Sequence, residues 1–175
     1  MSHDPILVVP YDPEWPRRFE DEQALLERVL EPWLEGGVHH VGSTAVSGLA
    51  AKPILDMVAG VRDLEEARAA FEPLREHSYE HGLHRPCAHW FFKPPAPSFA
   101  ERTHQLHLTE PGSDLWRERL AFRDALRADP ALEAEYEALK LRLAGERAGG
   151  SAYTDGKRPF VARVLAGAGI ALRPR

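Results

Sequence analysis

The chain has 175 residues, 43% hydrophobic and 28% charged, with a formal net charge of −5. That length predicts one domain spanning 1–175, able to bury a core without disulfide or metal staples. The charge gives no basic excess to draw the chain to a nucleic-acid backbone or an anionic membrane, so neither is expected as a partner. Cys87 is the single cysteine, which excludes an intrachain disulfide and fits a reducing compartment. The start, Met1-Ser2-His3-Asp4-Pro5, lacks the basic and apolar regions of a signal peptide. No run approaches the roughly 18 apolar residues of a spanning helix. A soluble, cytoplasmic protein is expected.

Residues 6–9 read as a short apolar strand or extended arm, stopped by Pro10. Asp12 and Pro13 predict a helix start, a carboxylate cap followed by proline at the first position. Trp15, Phe19, Glu22, Leu26, Val29, Leu30 and Trp33 recur at spacings of three and four. One helix face therefore packs on a core, with Glu22 the polar exception. Gly36-Gly37 reads as the end of that helix. Residues 38–41 predict a short strand entering Gly42. Residues 54–61 predict a second strand, apolar throughout except for Asp56, so it is covered on both faces or central. Asp63 is placed to cap a helix over Leu64, Ala67, Phe71 and Leu74. The aromatic run Trp90-Phe91-Phe92 predicts a strand over 89–93, and 94–97 a proline-rich loop. Residues 103–110 alternate, with Leu106 and Leu108 on one face and Gln105, His107 and Thr109 on the other. The last third reads as helices over 114–126, from Asp129-Pro130 through Leu143, and over 151–165. This order predicts an α/β (α+β) fold, a sheet with helices mainly on one face.

Four segments carry chemistry. Gly42-Ser43-Thr44 follows a strand and precedes small residues. Glycine lets a backbone approach a ligand closely, and a helical turn after it favours an anion such as phosphate. The same residues also suit a plain hydroxyl-capped turn. The segment is not a P-loop, because Lys52 has no glycine before it and no hydroxyl after it. Asp56 sits in an apolar strand, where an ionised carboxylate needs a cation or hydrogen bonds. Lys52, a metal ion and the Gly42 turn are the candidate partners. Gln105, His107 and Thr109 share the polar face of the strand that follows Arg102; if Asp56 faces the same open side, His107 is its neighbour. The nine histidines do not form a metal motif: His104 and His107 are three apart on a strand and face opposite ways. Tyr153 and Lys157 are i and i+4 on one helix face, as are Tyr136 and Lys140.

Taken together, Tyr11-Asp12-Pro13-Glu14-Trp15, then His40-Val41-Gly42-Ser43-Thr44-Ala45-Val46, Lys52-Pro53-Ile54 and Asp56 look like the GrpB family of bacterial proteins. Phe122-Arg123-Asp124, Leu126-Arg127, Tyr136 with Lys140, and Tyr153 with Lys157 and Phe160 extend the resemblance. That family is similar to the polymerase-β-like nucleotidyltransferases. The resemblance implies a mixed sheet with flanking helices, a Gly42-Ser43 turn that touches phosphates, and Asp56 as the first carboxylate for Mg²⁺. It implies an open face holding a nucleotide or phosphorylated small molecule, and nucleotidyl transfer as the activity. The second carboxylate of that pattern falls at 58, which is Val58, and 105, 107 and 109 supply no third. Asp56 and His107 are the residues expected to act in chemistry. Gly42, Ser43, Thr44, Lys52, Arg102, Lys140, Tyr153 and Lys157 are expected around phosphate. A non-catalytic binder of a phosphorylated ligand or of a protein partner, or a metal-dependent hydrolase built on Asp56 and His107, are the alternatives.

Overall fold

A computed structural model describes residues 6–83, 85–94, 101–146 and 149–174. The helix α1 spans Trp15–Leu30. It starts later than Asp12-Pro13 suggested, with Pro16 in its first turn. Asp12 still caps the approach, its Oδ1 accepting from the Glu14 N–H at 2.9 Å. Strand β1, Leu34–Val41, runs through Gly36 and Gly37 instead of starting after them. Both glycines take a φ of 82° at an irregularity in the pairing with β2. The pair that reads as a helix stop therefore bends an edge strand.

A 3₁₀ turn at Ser43–Ala45 leads on to β2, Leu55–Val61. Asp63 Oδ1 accepts from Glu66 N at 2.8 Å and opens a 3₁₀ segment that becomes α2, Phe71–Glu76. Strand β3, Glu80–Gly82, is a short edge strand with no apolar alternation to announce it. Strands β4, His89–Lys93, and β5, His104–Thr109, lie close to their expected places. Most of the proline-rich loop expected at 94–97 falls outside the described residues. The sheet order is β1-β2-β5-β4-β3, with β2 and β5 parallel and the other pairs antiparallel. Helices α3, Asp114–Ala128, α4, Pro130–Gly145, and α5, Gly149–Gly167, complete the order. Ser113 caps α3 by accepting from Trp116 N, and Asp129 caps α4. Among the described residues no helix is long and apolar enough to cross a membrane.

Both faces of the sheet are covered, which corrects the one-sided expectation. Met57, Ala59, Leu106, Leu108 and Phe91 face Leu26 and Leu30 of α1 and Leu74 of α2. On the other face Val58 and Val41 pack against Leu115 of α3. Double cover is why β2 is apolar almost throughout. Glu22, the polar exception in the α1 stripe, accepts from the Tyr79 hydroxyl at 2.7 Å and from Lys93 Nζ at 2.6 Å. Its buried charge is thereby matched by a cation and a donor.

Candidate functional site

The 3.3 Å rise and alternation of neighbouring strands put Asp56 beside Gln105, and Val58 beside His107, on the face turned toward α3–α5. Near Asp56 the helices stand away from the sheet and leave a cavity of about 360 Å³. Its floor is Gly42, Ser43, Asp56, Gln105 and His107. Its roof is Arg119 and Phe122 from α3, Tyr136 from α4, and Thr154, Lys157 and Arg158 from α5. The face implied to be open is thus roofed by the C-terminal helices.

Gly42 carries a φ of 73° and ψ of −171°, a conformation that belongs to glycine. A Cβ there would stand 2.6 Å from Asp56 Oδ2, so the turn is closed directly onto the carboxylate. Two α3 arginines clamp the same turn: Arg123 donates to the His40 carbonyl at 3.1 Å and Arg127 to the Ala45 carbonyl at 2.9 Å. Ser43 is half-buried, with the Tyr136 hydroxyl beside it.

Asp56 is half-buried. Burial holds its carboxyl above the usual range, against the opposing pull of Arg119, Lys157 and Lys52. All three cations act on the Asp56 carboxyl electrostatically. Lys157 is pushed down to about 7, first by burial and then by the Lys52 ammonium, while Asp56 pulls it up. The Tyr153 ring meets both ammonium groups, its centroid 4.5 Å from Lys52 Nζ and 4.4 Å from Lys157 Nζ.

The structure brings Gly42, Ser43, Asp56, His107 and Lys157 to one cavity and places the other candidates elsewhere. Thr44 is buried and donates to the Ile54 carbonyl at 3.1 Å. With that proton committed, the 2.8 Å contact to His40 Nε2 makes the imidazole the donor. Thr44 therefore ties the turn to the chain before β2. It borders a separate depression between α1 and α3. Lys140 is 1% exposed and its ammonium bonds the Ala50 carbonyl, while Glu137 accepts from Ala50 N at 2.8 Å. The pair bolts α4 to the loop before β2. Arg102 lies flat on Phe92, 3.7 Å from its centroid, beside the sheet rather than in the cavity. Lys52 and Tyr153 stand behind Lys157 and position it.

Sequence reasoning missed Arg119 and the tail. Arg119 follows Leu115 by four residues on α3 and is exposed at the cavity, a position that helix spacing does not distinguish from a solvated arginine. Glu118 pairs with Arg85 at 2.8 Å and also accepts from Arg173 N at 2.9 Å. Arg158 donates to the Arg173 carbonyl at 3.1 Å. These contacts lay the C-terminal segment along the cavity mouth, where Leu172 joins the wall.

His40, stacked on Phe19 with centroids 4.7 Å apart, is lowered to about 4 by burial and by Arg127 and Arg123. The unfolded chain therefore takes up a proton between about pH 6.5 and 4 that the folded one refuses. Stability is expected to fall through that window by on the order of 2 kcal/mol. Urea midpoints at pH 7 and 4.5 should show a smaller fall for His40→Gln; an equal fall would exclude His40 as the cause.

The sequence model of the GrpB family (GrpB protein) matches residues 5–166. The glutamate-rich protein GrpB of Alkalihalophilus pseudofirmus is 34% identical over 164 residues, covering 91% of this chain and 94% of that one. A dephospho-CoA kinase of Mycolicibacterium paratuberculosis is 32% identical over 197 residues, but this chain spans only 45% of it. The crystal structure of the conserved protein GrpB from Enterococcus faecalis superposes with a TM-score of 0.83 at 30% identity, covering 93% of this chain and 96% of that one. The Cid1 poly(U) polymerase with MgGTP bound gives a TM-score of 0.51 at 20% identity, over 78% of this chain and 43% of that one. That likeness shows a shared nucleotidyltransferase-type fold. With the family model covering nearly the whole sequence and a full-length structural match, the chain belongs to the GrpB family.

Proposed function

We propose that this protein binds a nucleotide or another phosphorylated small molecule in the cavity above Asp56. The observation that carries the reading is convergence. The Gly42-Ser43 turn, one carboxylate and the cations Lys157, Arg119 and Arg158 meet in one concave site. Cations projecting into a partly enclosed cavity suit a phosphate better than a neutral metabolite. Kinship with a chain named dephospho-CoA kinase, and the fold shared with a polymerase solved with a nucleotide, support the same ligand class.

Nucleotidyl transfer through paired metal ions is not what the residues support. Mg²⁺ prefers several hard oxygen ligands at fixed octahedral geometry. The position of the second carboxylate is Val58, 0% exposed and packed on Val41, Ala88 and Leu115. The neighbours along β5 are an amide and an imidazole, and three cations face Asp56. A hydrolase centre on Asp56 and His107 meets a similar obstacle. They are one strand apart and two residues out of register, about 7 Å along the sheet. The binding role is therefore the stronger form of the proposal.

Thermal-shift measurements with the four ribonucleoside triphosphates and dephospho-CoA test it. A ligand at 100 times its Kd adds about 2.7 kcal/mol, a shift of several degrees. The shift should disappear in Arg119→Gln. If none of the five raises the melting temperature of the wild type, the proposal fails.

A further inference from the structure

A phosphate-rich ligand brings several negative charges, and folds of this type have two ways to meet them: divalent ions on carboxylates, or cationic side chains. The polymerase neighbour was solved with MgGTP. In this chain cations outnumber carboxylates around the Gly42-Ser43 turn. One carboxylate, Asp56, faces Arg119, Lys157 and Lys52. Asp56 Oδ2 is also hemmed in by the Gly42 backbone, as the 2.6 Å approach of a built Cβ shows. Val58 belongs to the core.

We propose that the cavity takes its phosphorylated ligand without a metal ion, the Lys157 ammonium and the Arg119 guanidinium supplying the positive charge. This rests on the phosphate-binding reading given above. The scaffold for it is built in. Lys157 projects from α5 into the cavity with its ammonium 4.4 Å from the Tyr153 ring, and Lys52 flanks the same ring at 4.5 Å. Two ammonium groups on one ring repel each other, which is a cost unless an anion joins them. In the absence of ligand Asp56 supplies part of that counter-charge and pulls Lys157 toward its charged form. A phosphate entering the cavity takes over that role from Asp56. Asp56 is thus a counter-ion for the empty state and repels the ligand in the bound one. A metal-ligand role would make it indispensable to the bound state.

The two roles predict opposite outcomes for Asp56→Asn. Calorimetric titration of the full chain with ATP and with inorganic tripolyphosphate, each in excess EDTA and again in excess Mg²⁺, separates them. Expected are binding of both probes in EDTA, a 10–100-fold loss in Lys157→Met that Mg²⁺ does not repair, and a several-fold gain in Asp56→Asn. Circular dichroism melts of each variant confirm that it folds, and Arg119→Gln, at a more exposed position, gives a second reading of lost charge. Binding that requires Mg²⁺, or that Asp56→Asn abolishes, overturns the metal-free mode and leaves the phosphate site standing. Absence of binding by either probe in both buffers, for wild type and Asp56→Asn alike, removes the phosphate site and this inference with it.

Discussion

Gly42→Ala is expected to destabilise the fold by about 3–5 kcal/mol and to abolish ligand binding. Two costs combine. The backbone at φ 73° and ψ −171° lies where residues other than glycine are strained by about 1–3 kcal/mol. The new methyl would also stand 2.6 Å from Asp56 Oδ2 and 3.0 Å from Asp56 Cβ. Overpacking of that kind adds about 1–3 kcal/mol. Relief requires the carboxylate to swing away or the turn to lift off β2. The second route is opposed by Arg123 and Arg127, which hold the carbonyls on either side of the turn. Gly48 is the natural control. Its φ of 86° imposes the conformational cost, but a Cβ there meets nothing nearer than Glu133 Oε1 at 3.5 Å. Gly48→Ala should therefore cost about 1–2 kcal/mol. Urea denaturation measures both, with unchanged slopes as the check on two-state behaviour. Equal losses at 42 and 48 would show that the approach to Asp56 carries no energy. Adding Asp56→Ala to Gly42→Ala should recover part of the steric cost, a coupling that only contact between the two residues produces.

Asp56 and Gly42 were legible in the sequence because each is a local anomaly. A carboxylate in an apolar strand and a glycine before paired hydroxyls need an explanation whatever surrounds them. The alternation of Gln105 and His107 fixed their face for the same reason, since strand periodicity is a local property. Thr44 and Lys140 show the limit. A hydroxyl beside a glycine and a lysine on a helix carry the same letters whether they meet a ligand or a carbonyl. Only the tertiary positions of Ile54 and Ala50 decide that both are structural. Arg119 failed in the opposite direction. As a single letter it is an ordinary helix arginine, and it becomes a site residue because α3 crosses the sheet above Asp56. Gly36-Gly37 misled because two glycines after a helix are a stop signal, whereas here sheet pairing overrides local preference. The roofing of the polar face could not be read at all, since it depends on how α3–α5 return over β2 and β5.

Ligand affinity is expected to fall about 10–30-fold between pH 7.5 and 9, while the stability of the ligand-free protein rises over the same interval. The two signs follow from one shift. Lys157 is lowered to about 7 in the folded protein, from an ordinary value of 10.5. An anion binds the ammonium form, so occupancy raises that value and affinity is greatest below 7. Above it, each pH unit costs up to tenfold until the bound-state value is reached. Starting at pH 7.5 avoids the titration of the terminal phosphate near 6, which would act oppositely. The other groups around Lys157 do not reverse the trend. Lys52 and Lys140 are both lowered by burial, so their loss of charge acts in the same direction, and a carboxyl at 56 adds only negative charge on titration. Tyr136 and Tyr153 are raised by burial and stay neutral. For the empty protein the unfolded chain holds a proton on Lys157 up to about 10.5 that the folded chain gives up near 7. Unfolding therefore takes up protons in this interval, and folding strengthens with pH. Lys157→Arg should flatten both curves while keeping a cation in the cavity. Titrations at pH 7.5, 8.25 and 9 beside urea midpoints at the same values read the two slopes. Parallel slopes, or an unchanged affinity slope in Lys157→Arg, would remove Lys157 from contact with the ligand.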